Sequence, residues 1–197
     1  METTSQSLEQ QSGRRDASDI KSILDDQSLT FAEKAISITN AETRGKKSKT
    51  KSMSGEIVVV DVDLAMAQDS TGPLAIRSLN EMGIDKLYNP SKVLLVIDHT
   101  FPAADEKVAN LHALMRDFAS RHNCLLVEGS ISHQYILEYL ASPGMIILGA
   151  DSHTCQACVC VCIRNWNWKY RNCCCMGYRS IMVKGSRNHK DQFIWSF

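Results

Sequence analysis

The chain has 197 residues, 44% of them hydrophobic, and its 22 basic residues balance its 22 acidic ones. A neutral chain of this size can bury a core as one domain with appendages, and its charge gives no reason to expect a nucleic acid or a membrane surface as partner. No apolar run approaches the roughly 18 residues that a membrane-spanning helix needs, and the first residues lack the apolar core of a secretory signal. We therefore expect a cytoplasmic protein that contacts neither nucleic acid nor membrane.

The N-terminal region changes character near Thr30. Residues 1–28 are rich in Ser, Gln and Asp and carry no sustained apolar stripe, which predicts a disordered extension. Thr30 and Glu33 have the spacing of a helix capping box, so a helix is expected to begin there. The polar and basic stretch over 40–54 then predicts a linker to the first strand.

From residue 55 onward, runs rich in β-branched residues alternate with helical stripes. The predicted strands cover 57–62, 93–97, 125–127 and 145–148, and the predicted helices cover 73–82, 103–122 and 135–140. Such alternation is typical of a parallel sheet with helices on both faces, which is a three-layer α/β/α domain. We expect this domain to occupy residues 29–157.

Polar side chains follow each predicted strand. They are Gln68 and Asp69, then Asp98 and His99, then Ser132, His133 and Gln134, and finally Asp151, Ser152 and His153. Parallel strands end at one edge of a sheet, so these groups could converge on a single cleft. A carboxylate that accepts a hydrogen bond from an imidazole raises the basicity of that imidazole, as acid/base chemistry near neutral pH requires. The Asp98-His99 dipeptide by itself could equally be a turn cap beside a surface imidazole.

Four motifs in a fixed order resemble the N-terminal part of the aconitase family. They are AQDSTGP over 67–73, IDH over 97–99, GSISHQ over 129–134 and GADSHTC over 149–155. The nearest branch is that of the large subunits of 3-isopropylmalate dehydratase and homoaconitase, and the resemblance runs from about Thr30 to Ala157. It implies a hydro-lyase that uses a [4Fe-4S] cluster on a hydroxy di- or tricarboxylate.

The resemblance also implies a role for each matching residue. Asp98 and His99 resemble the pair that protonates the departing hydroxyl, Gln68 and Ser152 match positions that bind substrate carboxylates, and His133, Asp151 and His153 match the polar shell around the metal-bound oxygen. Polar groups oriented in this way tune a metal-bound water.

The second half of the chain departs from the family pattern. The cluster cysteines of the family lie far downstream in a longer chain, and the swivelling domain or small subunit that completes the family's site has no counterpart here. We therefore expect a truncated and inactive large-subunit fragment that contains no metal ligands and does not bind the cluster. The partners expected for the intact protein are the hydroxy-carboxylate substrate and that small subunit or domain.

The C-terminal segment is rich in cysteine without a readable period. Of the eight cysteines, all but Cys124 lie at or after Cys155, and they include one Cys-x-x-Cys. An alternative function is therefore a cysteine-rich metal-binding or redox module on an α/β scaffold. The spacing of these cysteines matches no known ligand geometry, so we consider a second origin for the segment.

Translation out of frame explains the cysteine-rich segment better. The codons for 162–170, taken one base later, can spell Ala-Phe-Ala-Ile-Gly-Ile-Gly-Asn, which resembles the family's continuation, and the codons for 173–176 can spell Ala-Ala-Val-Trp in the same frame. We therefore predict a one-base slip between Cys155 and Cys162 and an unstructured, out-of-frame tail over 158–197.

Overall fold

The structure, a computed structural model, describes residues 17–39, 57–142, 145–149, 151, 154, 161–164, 176–177 and 180–184. The chain divides into two compact units, of which the first takes Met1–Val60 and Met182–Phe197 and the second takes Asp61–Ile181. Within the described ranges, no helix has both the length and the apolar character needed to cross a bilayer.

Among its described residues, the first unit has the helices α1 (Ala17–Leu24) and α2 (Phe31–Thr39). The capping box predicted at the start of α2 is confirmed, because the Glu33 carboxylate accepts from the Thr30 N–H at 2.9 Å and the Thr30 hydroxyl accepts from the Glu33 N–H at 3.3 Å. The prediction of disorder over 1–28 is wrong for α1, where the side chain of Ile23 is buried. Burial of this apolar face outweighs the polar composition around it. Residues 1–16 and the predicted linker lie outside the described residues.

The strand predicted over 57–62 does not belong to the main sheet. Strand β1 (Ile57–Asp61) pairs with β7 (Ser180–Lys184) in a two-stranded sheet, whereas the main sheet begins with β2 (Leu64–Gln68). The sequence of β2, Leu-Ala-Met-Ala-Gln, has no β-branched residue and no alternation, yet all five of its residues are buried. A parallel strand that is covered on both faces needs no polar side, so its period is invisible in the sequence.

Five parallel strands in the order β4-β3-β2-β5-β6 form the main sheet. Its further strands are β3 (Val93–Ile97), β4 (Leu125–Glu128), β5 (Ile146–Gly149) and β6 (Val161–Arg164). The helices that connect these strands are α3 (Gly72–Glu81), α4 (Glu106–His122) and α5 (Ser132–Tyr135). Helix α5 continues as a π-helical turn over Ile136–Leu140. The predicted α/β class and the parallel sheet are confirmed.

The direction of the chain through the sheet sets the layers. The crossovers from β2 to β3 and from β3 to β4 step outward, and the next one returns to place β5 on the other side of β2. Because such crossovers are right-handed, α3 and α4 lie on one face and α5 on the opposite face. On the α5 face, Ile136 packs with Leu64, Met66, Leu94, Val96 and Ile147.

Two helix boundaries differ from the predictions. Helix α4 begins at Glu106 rather than near 103, because the carboxylate of Asp105 caps it by accepting from the Val108 N–H at 2.8 Å. Helix α5 begins at Ser132 rather than at Tyr135. The second difference matters for the site, because it places His133 on the first turn of a helix.

The tail predicted to be unstructured contains two strands in the structure. Strand β6 pairs in register with β5, from Ile146 opposite Val161 to Gly149 opposite Arg164. The β-branched residues Val161 and Ile163 favour an extended backbone, and the open edge of β5 offers unpaired backbone groups. Apart from these strands and residues 176–177, the tail lies outside the described residues.

Candidate active site

The carboxyl ends of four neighbouring strands gather most of the predicted site residues. Gln68 ends β2, Asp98 and His99 follow β3, His133 lies on α5 just after β4, and Asp151 follows β5. The predicted convergence at one sheet edge is therefore present, and the hydrogen bonds below join residues from different strands. Ser152 and His153 lie outside the described residues.

Asp98 and His99 form a hydrogen-bonded pair at the end of β3. Oδ1 of Asp98 lies 2.7 Å from Nδ1 of His99, and Oδ2 of Asp98 accepts from the Ser132 N–H at 2.9 Å. The Asp98 side chain is 8% exposed and that of His99 is 47% exposed. The carboxylate is thus fixed by two elements while the imidazole stays accessible.

The charges around His99 favour its protonated form. Its pKa is raised above the usual 6.5, first by the hydrogen bond with Asp98, and further by the negative charges of Asp98, Asp69 and Asp151, while partial burial opposes the shift. A raised pKa means that the imidazole keeps its proton to a higher pH than an ordinary histidine does. His99 can therefore donate a proton to a group that approaches it.

His133 and Asp151 form a second, buried pair. Nε2 of His133 lies 2.6 Å from Oδ2 of Asp151, and both side chains are 9% exposed. The carbonyl of Asp151 accepts from the Thr154 hydroxyl at 2.8 Å, so the turn after β5 is closed on itself. Gly149 permits this turn, because a Cβ there would overlap the Thr154 side chain.

A third set of polar groups lies behind His99. Oδ2 of Asp69 accepts from the Thr100 N–H at 2.9 Å, while Oδ1 of Asp69 lies 3.5 Å from Nδ1 of His99. Nε2 of His112, on α4, lies 3.7 Å from Oδ2 of Asp69. The sequence indicated Asp69 only as a strand-end residue and missed His112. The sequence does contain an indication of His112. It lies three residues before Met115, on the apolar stripe of α4, so its imidazole is expected to be buried against the sheet.

Gln68 is bound within its own turn. Its side-chain Nε2 donates to the Ser70 hydroxyl at 2.7 Å, and its Oε1 accepts from the Ser70 N–H at 2.6 Å. The side chain is buried. A substrate carboxylate would have to replace these partners to reach the amide.

Gly129 and Phe101 shape the loop between β4 and α5. Gly129 has a φ of +73°, which favours glycine, and a Cβ there would lie 3.1 Å from the Phe101 ring. The exposed Ile131 follows and leads directly into Ser132. This loop sets where the first turn of α5 meets Asp98.

One group of side chains has the composition of a metal site. Among the described residues, Asp69, Asp98 and His99 offer ligand atoms that lie within 4.8 Å of one another. Two ligands at about 2.0–2.1 Å from an ion and at right angles would be about 2.9 Å apart. The distance of 2.7 Å between Asp98 and His99 is shorter. We therefore describe the group as a hydrogen-bonded cluster.

Comparison with known proteins identifies the class of protein. The sequence model of the aconitase family (aconitate hydratase) matches residues 36–162. The chain therefore belongs to the aconitase family. This result agrees with the family resemblance that the four motifs indicated.

Curated relatives narrow the comparison to one kind of subunit. The 3-isopropylmalate dehydratase large subunit of Elusimicrobium minutum (strain Pei191) is 40% identical over 128 residues, which is 64% of this chain and 29% of the relative. That of Aquifex aeolicus (strain VF5) is 40% identical over 131 residues, 64% of this chain and 29% of the relative. That of Methanoregula boonei is 45% identical over 106 residues, 52% of this chain and 25% of the relative. The chain spans less than a third of these relatives.

The described residues do not fit the family's [4Fe-4S] cluster. Such a cluster is held by several thiolates, and Cys124 is the only cysteine whose side chain is described. Burial raises the pKa of its thiol to about 11, which disfavours the thiolate. Cys124 also precedes β4, at the sheet edge opposite the strand ends described above.

Proposed function

We propose that this chain supplies one wall of a hydro-lyase active site of the 3-isopropylmalate dehydratase type, which removes water from a hydroxy di- or tricarboxylate. The observation that carries the proposal is the Asp98–His99 pair at the carboxyl end of β3, in a chain of the aconitase family. The names of the curated relatives support this reaction class over others.

The proposed step for His99 is a proton transfer. Dehydration breaks a C–O bond and a C–H bond, and the oxygen that keeps the C–O electron pair leaves as water when it receives a proton. Asp98 engages Nδ1 of His99, so Nε2 is the nitrogen that delivers this proton. In the reverse direction, neutral His99 takes the proton back from the water that adds. The base that removes the C–H proton is not assigned to a described residue.

The buried pair has a supporting role in this proposal. Asp151 fixes the ring of His133 through Nε2, and its negative charge also raises the pKa of His99. Gln68, Ser152 and His153 complete the proposed wall by their motif positions, and we propose that Gln68 and Ser152 bind substrate carboxylates.

The remaining parts of the site are proposed to lie outside the described residues. The [4Fe-4S] cluster of the family would supply Lewis-acid chemistry if it were bound, but the described side chains provide no thiolate set for it. The relatives are named large subunits, which supports a small subunit as partner. We accordingly propose that this chain alone neither binds the cluster nor turns over substrate.

We also propose that the tail over 158–197 is translated out of frame. The family match ends at residue 162, which is the downstream limit of the interval where the slip is predicted. Sequencing of the genomic DNA tests this proposal. It fails if the shifted frame does not continue into aconitase-like sequence with a Cys-x-x-Cys pair.

The function itself is tested in a chimera. Residues 57–154 of this chain replace the matching segment of the Aquifex aeolicus large subunit, which is assayed anaerobically with its own small subunit for formation of the unsaturated acid. The chimera is expected to be active, and His99→Asn is expected to lower its kcat by about 100-fold or more, the usual worth of a general acid.

His122→Asn is the matched control, because it changes another imidazole that packs on Phe118 at the far end of α4. It should leave the kcat near that of the parent chimera. A folded chimera with its cluster but without activity would contradict the proposal, as would full activity after His99→Asn.

A further inference from the structure

We propose that the carboxylate of Asp69 interacts with two imidazoles. Its negative charge stabilises the protonated form of His99, and the buried His112 weakens this stabilisation by hydrogen bonding to the same carboxylate. Asp69 and His112 are thus positioning residues that act through His99. The inference deepens the proposed function, because His99 is the proton donor there, but its test measures the titration of His99 and does not depend on turnover.

The position of Asp69 between the two rings is the first support. Its Oδ1 lies 3.5 Å from Nδ1 of His99, and its Oδ2 lies 3.7 Å from Nε2 of His112. The Thr100 N–H donates to Oδ2 at 2.9 Å and so holds the carboxylate at the end of β2 toward the end of β3.

The second support is that, among the described residues, Asp69 and His112 each have one buried polar atom without a hydrogen bond. Within the described part of the chain, Oδ1 of Asp69 and Nε2 of His112 are buried and have no hydrogen-bond partner, although the side chains are only 4% and 2% exposed. Buried polar atoms are nearly always paired. Here Oδ1 of Asp69 lies 3.5 Å from Nδ1 of His99, and Nε2 of His112 lies 3.7 Å from Oδ2 of Asp69. Asp98 already occupies Nδ1 of His99 at 2.7 Å. Asp69 therefore acts on His99 chiefly through its charge, and its Oδ2, which already accepts from the Thr100 N–H, is the oxygen that can also accept from His112.

The charges around the two rings define the coupling. His99 faces Asp98, Asp69 and Asp151, which all favour its cation. His112 faces Asp69 and lies within the electrostatic range of Glu128, which is itself held by Arg116 at 2.8 Å and 2.7 Å. When His112 donates to Asp69, or is itself protonated, less of the Asp69 charge reaches His99. The interaction of His112 with Asp69 therefore disfavours protonation of His99.

Imidazole NMR titrations of the 197-residue chain test this coupling. Asp69→Asn is expected to lower the pKa of His99 by about half a unit to one unit, because it removes a charge a few ångströms away. His112→Gln is expected to raise the pKa of His99. In the Asp69→Asn background, His112→Gln should leave the pKa of His99 unchanged, because its effect passes through Asp69.

Asp117→Asn is the matched control, since it removes an exposed carboxylate of α4 that pairs with Arg121. It should not move the pKa of His99. If a variant does not fold, the tautomer of His112 in the unaltered chain still tests the proposal. NMR of that chain should show a proton on Nε2 of His112 at neutral pH, because this nitrogen is the proposed donor to Asp69. An Nδ1–H tautomer of His112, equal His99 pKa values in the parent and Asp69→Asn, or additive effects in the double variant would each overturn the inference.

The two proposals fail separately. If the chimera is inactive while the titrations behave as expected, the function is wrong and the shared carboxylate stands. If the chimera is active while Asp69→Asn leaves the pKa of His99 unchanged, only the coupling is wrong.

Discussion

The backbone N–H of Ser132 donates to Oδ2 of Asp98 at 2.9 Å, which ties the first turn of α5 to the end of β3 across 34 positions of the chain. The other oxygen of the same carboxylate holds His99. His133, which belongs to the buried pair, is the next residue after Ser132. One carboxylate thus sets the spacing between the two imidazole–carboxylate pairs.

Asp98→Asn should lower the pKa of His99 toward 6.5. The amide can still accept from His99 at Oδ1, but its NH2 group replaces the oxygen that accepts from the Ser132 N–H, and the charge that favours the imidazolium is lost. His99 contributes stability that is present below its unfolded pKa and is lost as the pH rises through its raised folded pKa, and this contribution should shrink in the variant. An imidazole NMR titration measures the shift. An unchanged pKa would show that Asp98 is not the main cause.

Arg116→Gln should destabilise the protein by about 0.2–1 kcal/mol at pH 7, because the ion pair is partly solvated. The guanidinium holds the pKa of Glu128 below its usual value through two hydrogen bonds. The stability from this pair is therefore present above the unfolded pKa of 4.5 and is lost as the pH falls through the lowered folded pKa. Urea unfolding at several pH values tests this, with Arg121→Gln as the control, since Arg121 forms a more exposed pair with Asp117. If Arg116→Gln lowered the stability equally at pH 7 and at a pH below the folded pKa of Glu128, the Arg116–Glu128 pair would not be the cause of the loss.

Gly149→Ala should destabilise the protein by about 1–3 kcal/mol. A Cβ at this position would lie at or within 3.0 Å of three atoms of the Thr154 side chain, which is buried and bonded to the Asp151 carbonyl. Gly72→Ala is the comparison, because its Cβ would meet the flexible end of Met115 at 3.0 Å. Denaturant unfolding should show the larger loss for Gly149→Ala. A larger loss for Gly72→Ala would mean that the turn after β5 is not rigid.

Cys124 should react slowly with iodoacetamide at pH 8. Burial raises the pKa of its thiol to about 11, so little thiolate is present. The rate in the folded chain should be on the order of tenfold to a hundredfold below that in the urea-unfolded chain, as followed by mass spectrometry of the Cys124 peptide. Equal rates in the two states would show that the thiol is accessible and ionised.

The sequence predicted those parts of the fold whose patterns are local. Strand β3 has the predicted bounds, and Thr30 and Glu33 make the predicted cap, because propensity and spacing act within a few residues. Strand β2 was missed, because burial on both faces removes the alternation by which half-buried strands are recognised. Helix α1 and strand β6 were missed because packing and edge pairing outweigh local composition.

In the site, too, the sequence predicted what local motifs determine and missed what packing determines. The order of motifs along the chain indicated Asp98, His99, His133 and Asp151, and the parallel topology explains why they meet. The contact between Ser132 and Asp98 and the approach of His112 to Asp69 depend on how α5 and α4 are seated against the sheet. No spacing within one segment encodes either distance.

The loop between β4 and α5 should tolerate some substitutions but no change of length. Gly129 needs its left-handed backbone and its clearance from Phe101, whereas the side chain of Ile131 is exposed. An inserted or deleted residue in this loop would carry Ser132 away from Asp98 and His133 away from Asp151 in a single event. Natural variation should therefore alter the side chain at 131 freely while keeping the number of residues between β4 and α5 fixed.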